Sequence, residues 1–254
     1  MTISRGAMSA ARPRAQKGAM VLAQRIMGDV LRRNLRPGDP LPTEREMIES
    51  YGAGRATVRE ALRLLEYEDV ITIKPGIGGG PILRLPDSTH LAGSLVLIMG
   101  LNQAPLRDVI EVRSTIEPIT SALAAERMSE EDLAALRENV AQMRASIDNQ
   151  HVFLERNREF HEQVAHAGGN VAFAYLVDSI SHIIDGTMLG LQYSDLRRTA
   201  MLSAHERILA ALEARDPERA RESMLAHVSE YAKYAERKFP DVMNGGLAWE
   251  RWIS

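Results

Sequence analysis

One short interruption of the helical hydrophobic period divides this chain of 254 residues into two unequal parts. Two short runs rich in β-forming residues, at 70–74 and 82–85, flank the glycine-rich segment 75–81 and predict a β-hairpin. On both sides of this hairpin the apolar residues recur at helical spacing, and no other stretch has the pattern of a strand. The predicted fold class is therefore mainly α.

Three short helices are predicted before the hairpin. Thr43 and Glu46 have the spacing of a capping box, which starts the second helix. The glycines just before Arg55 predict a tight turn that leads into the third helix. Three helices followed by a hairpin predict a winged helix-turn-helix domain over residues 15–85. The polar, aperiodic residues 1–14 predict a disordered tail.

The longer part predicts an all-α bundle of six or seven helices over residues 90–238. Capping signals such as Ser129 and Asp216-Pro217 separate its helical segments. We expect a hinge at 86–89, between the two domains, and a C-terminal tail at 239–254.

The two parts also differ in charge. Residues 1–85 contain 14 lysines and arginines against 9 acidic residues, whereas residues 86–254 contain 17 against 25. This asymmetry indicates a DNA-binding head on a body that does not bind DNA. The chain has no cysteine, which excludes disulfides and thiolate metal ligands. No apolar run approaches the roughly 20 residues of a membrane span, so we expect a cytoplasmic protein with no membrane partner.

Arg55, Thr57 and Arg59 are candidate DNA-reading residues. They project from the first two turns of the third helix, opposite its apolar stripe, and Arg45 lies on the preceding helix. An arginine in this position can bind guanine O6 and N7 together. The alternative interpretation is a solvated helix face on which the arginines pair with nearby glutamates.

This segment resembles the GntR family of bacterial regulators from about residue 17 to residue 85. The matching elements are, in order, Leu41-Pro-Thr-Glu-Arg45, Gly52-Ala-Gly-Arg55, Val58-Arg-Glu-Ala-Leu62 and Lys74-Pro-Gly76. The resemblance implies DNA contacts at Arg45, Arg55, Thr57 and Arg59. It also implies that Gly76 lies at the tip of the wing. Gly54 stands where the family usually has serine or threonine, so no hydroxyl contact is expected there, although glycine still serves as an N-cap.

Three histidines of the second part lie on apolar helix faces. His161 follows Asn157 by four residues, so the two share a face, and His205 and His227 each lie on a stripe of apolar residues. One interpretation is that all three are hydrogen-bonded core residues. The other is a site for a divalent metal ion such as Zn or Ni, since neutral imidazole suits these ions and an amide oxygen can complete the site.

Arg113 also lies on an apolar stripe, where an unpaired charge is costly. It forms either an intrahelical pair with Glu117 or a clamp for the carboxylate of an organic acid.

These features resemble the helical effector-binding domain of the FadR subgroup of GntR regulators, called FCD, over about residues 90–235. The matching residues are Arg113 and Glu117, Asn157, Phe160-His161, Gly169-Asn170, His205 and His227. The resemblance implies a metal ion held by Asn157, His161, His205 and His227, with a small carboxylate effector bound beside it. Many members have aspartate at the position of Asn157, and the neutral amide predicts a weaker, more positive site that favours an anionic effector.

The resemblance further implies a homodimer that binds double-stranded DNA at a short inverted repeat. We expect a ligand-responsive repressor and no enzymatic activity. Two other classes remain open at this stage. One is a metal-dependent helical enzyme with a DNA-binding head, and the other is an architectural DNA-binding protein whose second domain only dimerises.

Overall fold

The computed structural model describes residues 14–76, 78–184 and 191–246. The chain divides into two compact units, Met1–Asp87 and Ser88–Ser254. The helices and strands of the first unit are α1 (Arg14–Arg32), α2 (Glu44–Tyr51), α3 (Arg55–Tyr67), β1 (Ile71–Lys74) and β2 (Gly80–Leu83). Residues 1–13, most of the predicted tail, lie outside the described ranges.

The capping box that the sequence predicts at the start of α2 is present. The Thr43 hydroxyl accepts from the Glu46 amide at 3.4 Å, and the Glu46 carboxylate accepts from the Thr43 amide at 2.7 Å. Gly52 ends α2 in the left-handed conformation, with φ of 61°, which only glycine adopts at little cost. These two local signals fix where α2 begins and where the chain turns toward α3.

One apolar core joins the elements of the first unit. Each of its helices and β1 contributes fully buried side chains, among them Ile26, Met47, Val58 and Ile71. The two strands pair in antiparallel register, with Ile71 opposite Leu83. The hairpin is therefore held on the three helices by the buried ends of its strands.

The second strand of the hairpin begins and ends two residues earlier than the sequence pattern predicts. The pattern places it at 82–85, but β2 is Gly80–Leu83 and the side chain of Leu85 is exposed. The register follows from burial, because Ile71 and Leu83 must face the core together. Pro81 has no amide hydrogen to donate to a neighbouring strand. Its carbonyl still accepts a hydrogen bond from the Leu41 amide at 2.8 Å, and this bond requires no donor from proline.

The second unit is helical throughout its described part. Its elements are α4 (Thr89–Leu101), α5 (Leu106–Arg127), α6 (Glu130–Ala145), α7 (Gln150–Ala167), α8 (Val171–Ile184), α9 (Asp195–Glu213), α10 (Pro217–Lys238) and α11 (Pro240–Asn244). Ser129 and Asp216 cap α6 and α10 as their sequences predict. Seven of these helices have thirteen residues or more, which agrees with the predicted bundle.

The eighth helix, α11, lies in the segment that the sequence predicts to be a tail. Met243 is buried there, and the Gly245 carbonyl accepts from the Leu106 amide at the start of α5 at 3.4 Å. Residues 240–246 are therefore packed on the bundle. Residues 247–254 lie outside the described ranges, and bending at the predicted hinge, 86–89, stays a prediction.

No helix in the described ranges is both long enough and apolar enough to cross a membrane.

We expect the substitution Thr43→Ala to loosen the start of α2. The substitution removes the hydroxyl that accepts from the Glu46 amide and donates to the Glu46 carboxylate. This costs about 1 kcal/mol of local stability. Hydrogen exchange of peptides covering residues 44–51 measures the change. Ser50→Ala, an exposed substitution in the same helix, is the control. Equal exchange rates in the two variants would show that the capping box does not hold α2.

Candidate metal centre and nucleic-acid interface

Three helices bring His161, His205 and His227 together in the core of the second unit. His161 lies on α7, His205 on α9 and His227 on α10, and all three side chains are buried. The apolar neighbours that define their stripes, such as Ile208 and Met224, are buried with them. The inward orientation predicted from the helical spacing is therefore confirmed.

The Nε2 atoms of the three histidines converge. His227 Nε2 lies 3.2 Å from His205 Nε2 and 3.3 Å from His161 Nε2. Nitrogen atoms that share one metal ion at about 2.0–2.1 Å are separated from one another by roughly 3 Å. Within the described ranges, only these three histidines form a group of three or more His, Cys, Asp or Glu side chains close enough together to bind one metal ion.

Glu117 on α5 holds both Arg113 and His161. Its Oε1 accepts from Arg113 Nε at 2.5 Å, and its Oε2 lies 2.7 Å from His161 Nδ1. All three side chains are buried. Burial raises the pKa of Glu117, but Arg113 and His161 outweigh burial and hold that pKa at about 2. The intrahelical pair that the sequence left as one of two possibilities for Arg113 is present.

The second contact of Arg113 assigns the tautomer of His161. Arg113 Nη2 lies 2.8 Å from His161 Nε2, and a guanidinium only donates, so this nitrogen carries the lone pair. The proton is then on Nδ1, which faces Glu117 Oε2 at 2.7 Å. A carboxylate behind a histidine in this way is the usual support for a metal-ligating Nε2.

The other two histidines are neutral for a physical reason. Burial lowers the pKa of His205 and of His227 well below the ordinary value, and the positive charge of Arg113 lowers both further. The ring of His205 is also stacked on Phe160, with centroids 4.1 Å apart. Neutral, immobilised imidazoles are the form that binds a metal ion.

Asn157 lies beside this cluster. It lines a cavity of about 450 Å³, including the part open to solvent, together with Arg113, His161 and His227. Its Oδ1 atom is buried and has no hydrogen-bond partner in the described structure. The structure thus brings the candidate effector residue and three of the four candidate ligands to the wall of one cavity.

Sequence reasoning missed two residues of this region. Met143 Sδ lies 3.1 Å from His205 Nδ1, but its spacing from Leu136 and Val140 is that of an ordinary core residue. Ser181 on α8 lines the cavity, and its buried hydroxyl has no partner among the described residues. A signal for Ser181 existed in the sequence, because it is a polar residue on the buried stripe between Val177 and Ile184.

The candidate DNA-reading residues lie at the start of α3 and on α2. Arg55 is the first residue of α3 and is exposed, as is Arg59 one turn later, whereas Thr57 is half-buried. Arg55 Nε lies 3.9 Å from Glu44 Oε1, and an exposed pair of this kind contributes little. The side chain of Arg45 on α2 is also exposed.

The first turn of α3 presents unpaired backbone amides. Gly54 is its N-cap and supplies no side-chain hydrogen bond, as its sequence predicts. In the wing, Gly76 has φ of 99°, a left-handed value that favours glycine at a hairpin tip. DNA contact by these residues stays a prediction, since the structure describes the protein without DNA.

Two family models match the chain. The model described as bacterial regulatory proteins, gntR family, matches residues 19–79. The model described as FCD domain matches residues 108–230. The first covers α2, α3 and β1, and the second covers Arg113, Asn157 and the three buried histidines.

Similar proteins match along most of the chain. The uncharacterized HTH-type transcriptional regulator YcbG of Bacillus subtilis is 30% identical, over 83% of this chain and 86% of that protein. The galactonate operon transcriptional repressor of Escherichia coli is 25% identical, over 76% of this chain and 86% of that protein. A solved structure of Streptococcus agalactiae GntR has a TM-score of 0.65 at 24% identity and covers 85% of this chain and 100% of its own, which shows the fold.

We expect Glu117→Gln to destabilise the second unit strongly. The substitution leaves Arg113 buried without its counter-charge, and removing one partner of a buried pair costs about 3–5 kcal/mol. Urea unfolding followed by circular dichroism measures the loss. Glu111→Gln, on the exposed face of the same helix, is the control and should unfold as the wild type does. Similar unfolding midpoints for the two variants would show that Glu117 does not hold this centre.

Proposed function

Because the chain belongs to the GntR family of bacterial regulators and carries an FCD domain, we propose that it is a transcriptional repressor whose DNA binding responds to a small carboxylate bound beside a metal ion. The observation that carries the proposal is the joint presence of a winged helix-turn-helix unit and a buried cluster of three histidines in the same chain. Relatives with transcriptional regulator or repressor in their names support the regulatory part.

The first unit reads the operator through α3. Arg55 and Arg59 are exposed on the first two turns of α3, and each can pair with guanine edges in the major groove. The unpaired amides behind Gly54 face the same end of the helix and suit a phosphate oxygen. Arg45 and the wing around Gly76 then contact the backbone of the duplex.

The protein acts as a homodimer, so that two copies of α3 read an inverted repeat. Exposed apolar side chains on the second unit support this assembly. Ile98 and Leu101 on α4 are 56% and 78% exposed, and Val112 and Ile119 on α5 are also exposed. Large apolar side chains exposed on helix faces are candidate partner surfaces.

The residues present fit a divalent metal ion. The Nε2 atoms of His161, His205 and His227 converge within one coordination sphere, and Asn157 Oδ1 is a buried oxygen without a partner at the same cavity. Three imidazoles and an amide oxygen suit Zn or Ni. Such an ion, when bound, supplies a positive charge that attracts an anionic effector.

Arg113 makes the same cavity selective for an anion. Its Nη2 donates to His161 Nε2 and so occupies the lone pair that would bind a metal ion. Metal binding therefore requires this donor to turn away from His161, while Arg113 Nε remains paired with Glu117. The released Nη2 and the bound metal ion together favour a carboxylate.

Effector binding relieves repression by changing which arrangement of the two DNA-binding units is favoured. A ligand shifts such an equilibrium only through different affinities for the two arrangements. The cavity touches α5, α7, α8, α9 and α10, so a bound acid contacts most of the bundle at once. Turnover of the bound acid would instead support the enzyme class.

Arg55→Ala should lose specific operator binding. The operator is first recovered by incubating the full-length protein with sheared genomic DNA of its source at fixed salt and sequencing the retained fragments. We expect peaks that share a short inverted repeat. Anisotropy titration of one such fragment should then show an affinity at least about 10- to 100-fold lower for Arg55→Ala. That range is the value of one bidentate arginine–guanine contact, and the dimer loses one in each half-site.

Arg63→Ala is the matched control, because it removes the same charge from the exposed face of the same helix, further from its start. Both variants are compared with the wild type by light scattering, so that a change in assembly is detected separately. Diffuse genomic recovery without a shared repeat, or undiminished affinity of Arg55→Ala, would contradict the proposed reading helix.

The paired substitution His205→Ala with His227→Ala should abolish metal binding. It removes two of the three convergent nitrogens, and an ion held by His161 and Asn157 alone loses most of its coordination. Equilibrium dialysis against Zn²⁺ or Ni²⁺, with metal analysis of the protein, measures the loss.

The paired substitution His151→Ala with His166→Ala is the control, since it removes two histidines that lie outside the cluster. Circular dichroism of both double variants checks that the bundle is intact. Equal metal content in the two double variants would exclude the proposed centre.

A further inference from the structure

Three buried polar atoms of residues that line the cavity make no hydrogen bond in the described structure. One of them, His161 Nδ1, faces the Glu117 carboxylate at 2.7 Å. The proposed metal ion accounts for only one of the other two. These atoms are Asn157 Oδ1 and Ser181 Oγ. Asn157 Oδ1 is the candidate metal ligand. The hydroxyl of Ser181 remains, on a residue that is 4% exposed.

The surroundings of Ser181 explain why its hydroxyl has no partner. It lies on α8 between Val177 and Ile184, both buried apolar residues. Two residues earlier, Ser179 donates to the Tyr175 carbonyl at 2.7 Å, the usual way in which a helical serine satisfies itself. Ser181 makes no such bond within its own helix and lines the cavity instead.

A buried hydroxyl without a partner is costly unless a bound molecule or water satisfies it. The same cavity contains Arg113, the proposed carboxylate contact. A molecule whose carboxylate binds at Arg113 then meets Ser181 with another of its groups. The group that best matches a neutral hydroxyl is a neutral hydrogen-bonding group, since a hydroxyl both donates and accepts.

A second carboxylate fits this cavity less well. Arg158 also lines it, but Arg158 Nη1 is already paired with Glu162 at 2.9 Å. The remaining wall includes the apolar side chains of Leu154, Ile184 and Met201. A second negative charge would therefore compete with Glu162 for its counter-charge, whereas a hydroxyl group would not.

We propose that Ser181 recognises a hydroxyl group of the effector, so that the effector is a hydroxylated carboxylic acid and not a plain aliphatic acid. This inference rests on the proposed function, because it assumes that a carboxylate binds in the same cavity. Ser181 is then a specificity-determining residue. It distinguishes acids of equal length by the presence of the hydroxyl.

Matched pairs of acids test this assignment. Isothermal titration of the full-length, metal-loaded protein compares lactate with propionate, 3-hydroxybutyrate with butyrate, and gluconate with hexanoate. For at least one pair we expect the wild type to bind the hydroxylated acid about 10-fold more tightly, the value of one neutral hydrogen bond in a buried site. Ser181→Ala should weaken the hydroxylated acid to the level of its plain counterpart and leave the plain acid unchanged.

Two further variants separate hydrogen bonding from shape and folding. Ser181→Cys retains most of the side-chain volume with a weaker donor, and should fall between the wild type and Ser181→Ala. Ser179→Ala makes the same change on the same helix at a serine bonded to its own backbone, and should keep the preference of the wild type. Since Ser181 has no internal partner, Ser181→Ala without ligand should melt no lower than the wild type.

The outcomes distinguish this inference from the function on which it rests. If plain acids bind as tightly as hydroxylated ones, or if Ser181→Ala keeps the preference, the assignment of Ser181 is wrong while a carboxylate effector stands. If no acid of any pair binds, the carboxylate effector itself is overturned, and the role of Ser181 with it.

Discussion

The buried carboxylate of Glu117 is the contact on which the polar centre of the bundle depends. Its two oxygens bind Arg113 and His161, and each of these contacts settles a further property. The first neutralises a guanidinium that has no other counter-charge among the contacts described. The second puts the proton of His161 on Nδ1 and leaves Nε2 with a lone pair, which accepts from Arg113 Nη2. Without this carboxylate the core would contain an uncompensated cation beside three imidazoles.

Such a centre is costly for stability, because buried charges and polar groups gain less from pairing than apolar side chains of similar size gain from packing. The rest of the bundle has an ordinary apolar core, with residues such as Leu136, Phe153 and Ile208 fully buried around the polar centre. The polar groups are thus confined to one cavity wall. A ligand at that wall contacts several helices at once, which is how binding in a helical bundle is able to favour one packing arrangement over another.

Much of the fold could be predicted from the sequence, because caps, breakers and hydrophobic period act over a few residues. The capping boxes at Thr43 and Ser129 begin their helices where the pattern places them. The structure departs from the sequence prediction at two elements. The strand β2 lies two residues earlier than predicted, and α11 is a packed helix where a tail was predicted. In both cases the position is decided by contacts with distant residues, Ile71 for β2 and Leu106 for α11, which no local pattern contains.

The sequence by itself determined which residues of the site face inward, since a helix of 3.6 residues per turn places His205 and His227 on their buried stripes. It also offered the pairing of Arg113 with Glu117, four residues apart on one helix, as one of two possibilities, and the structure shows that pair. Only the tertiary structure decided that nitrogens from α7, α9 and α10 meet within one coordination sphere, and that Ser181 joins them at the cavity. The physical reason is that helical periodicity fixes directions within one helix, whereas distances between helices are set by the packing of all the side chains between them.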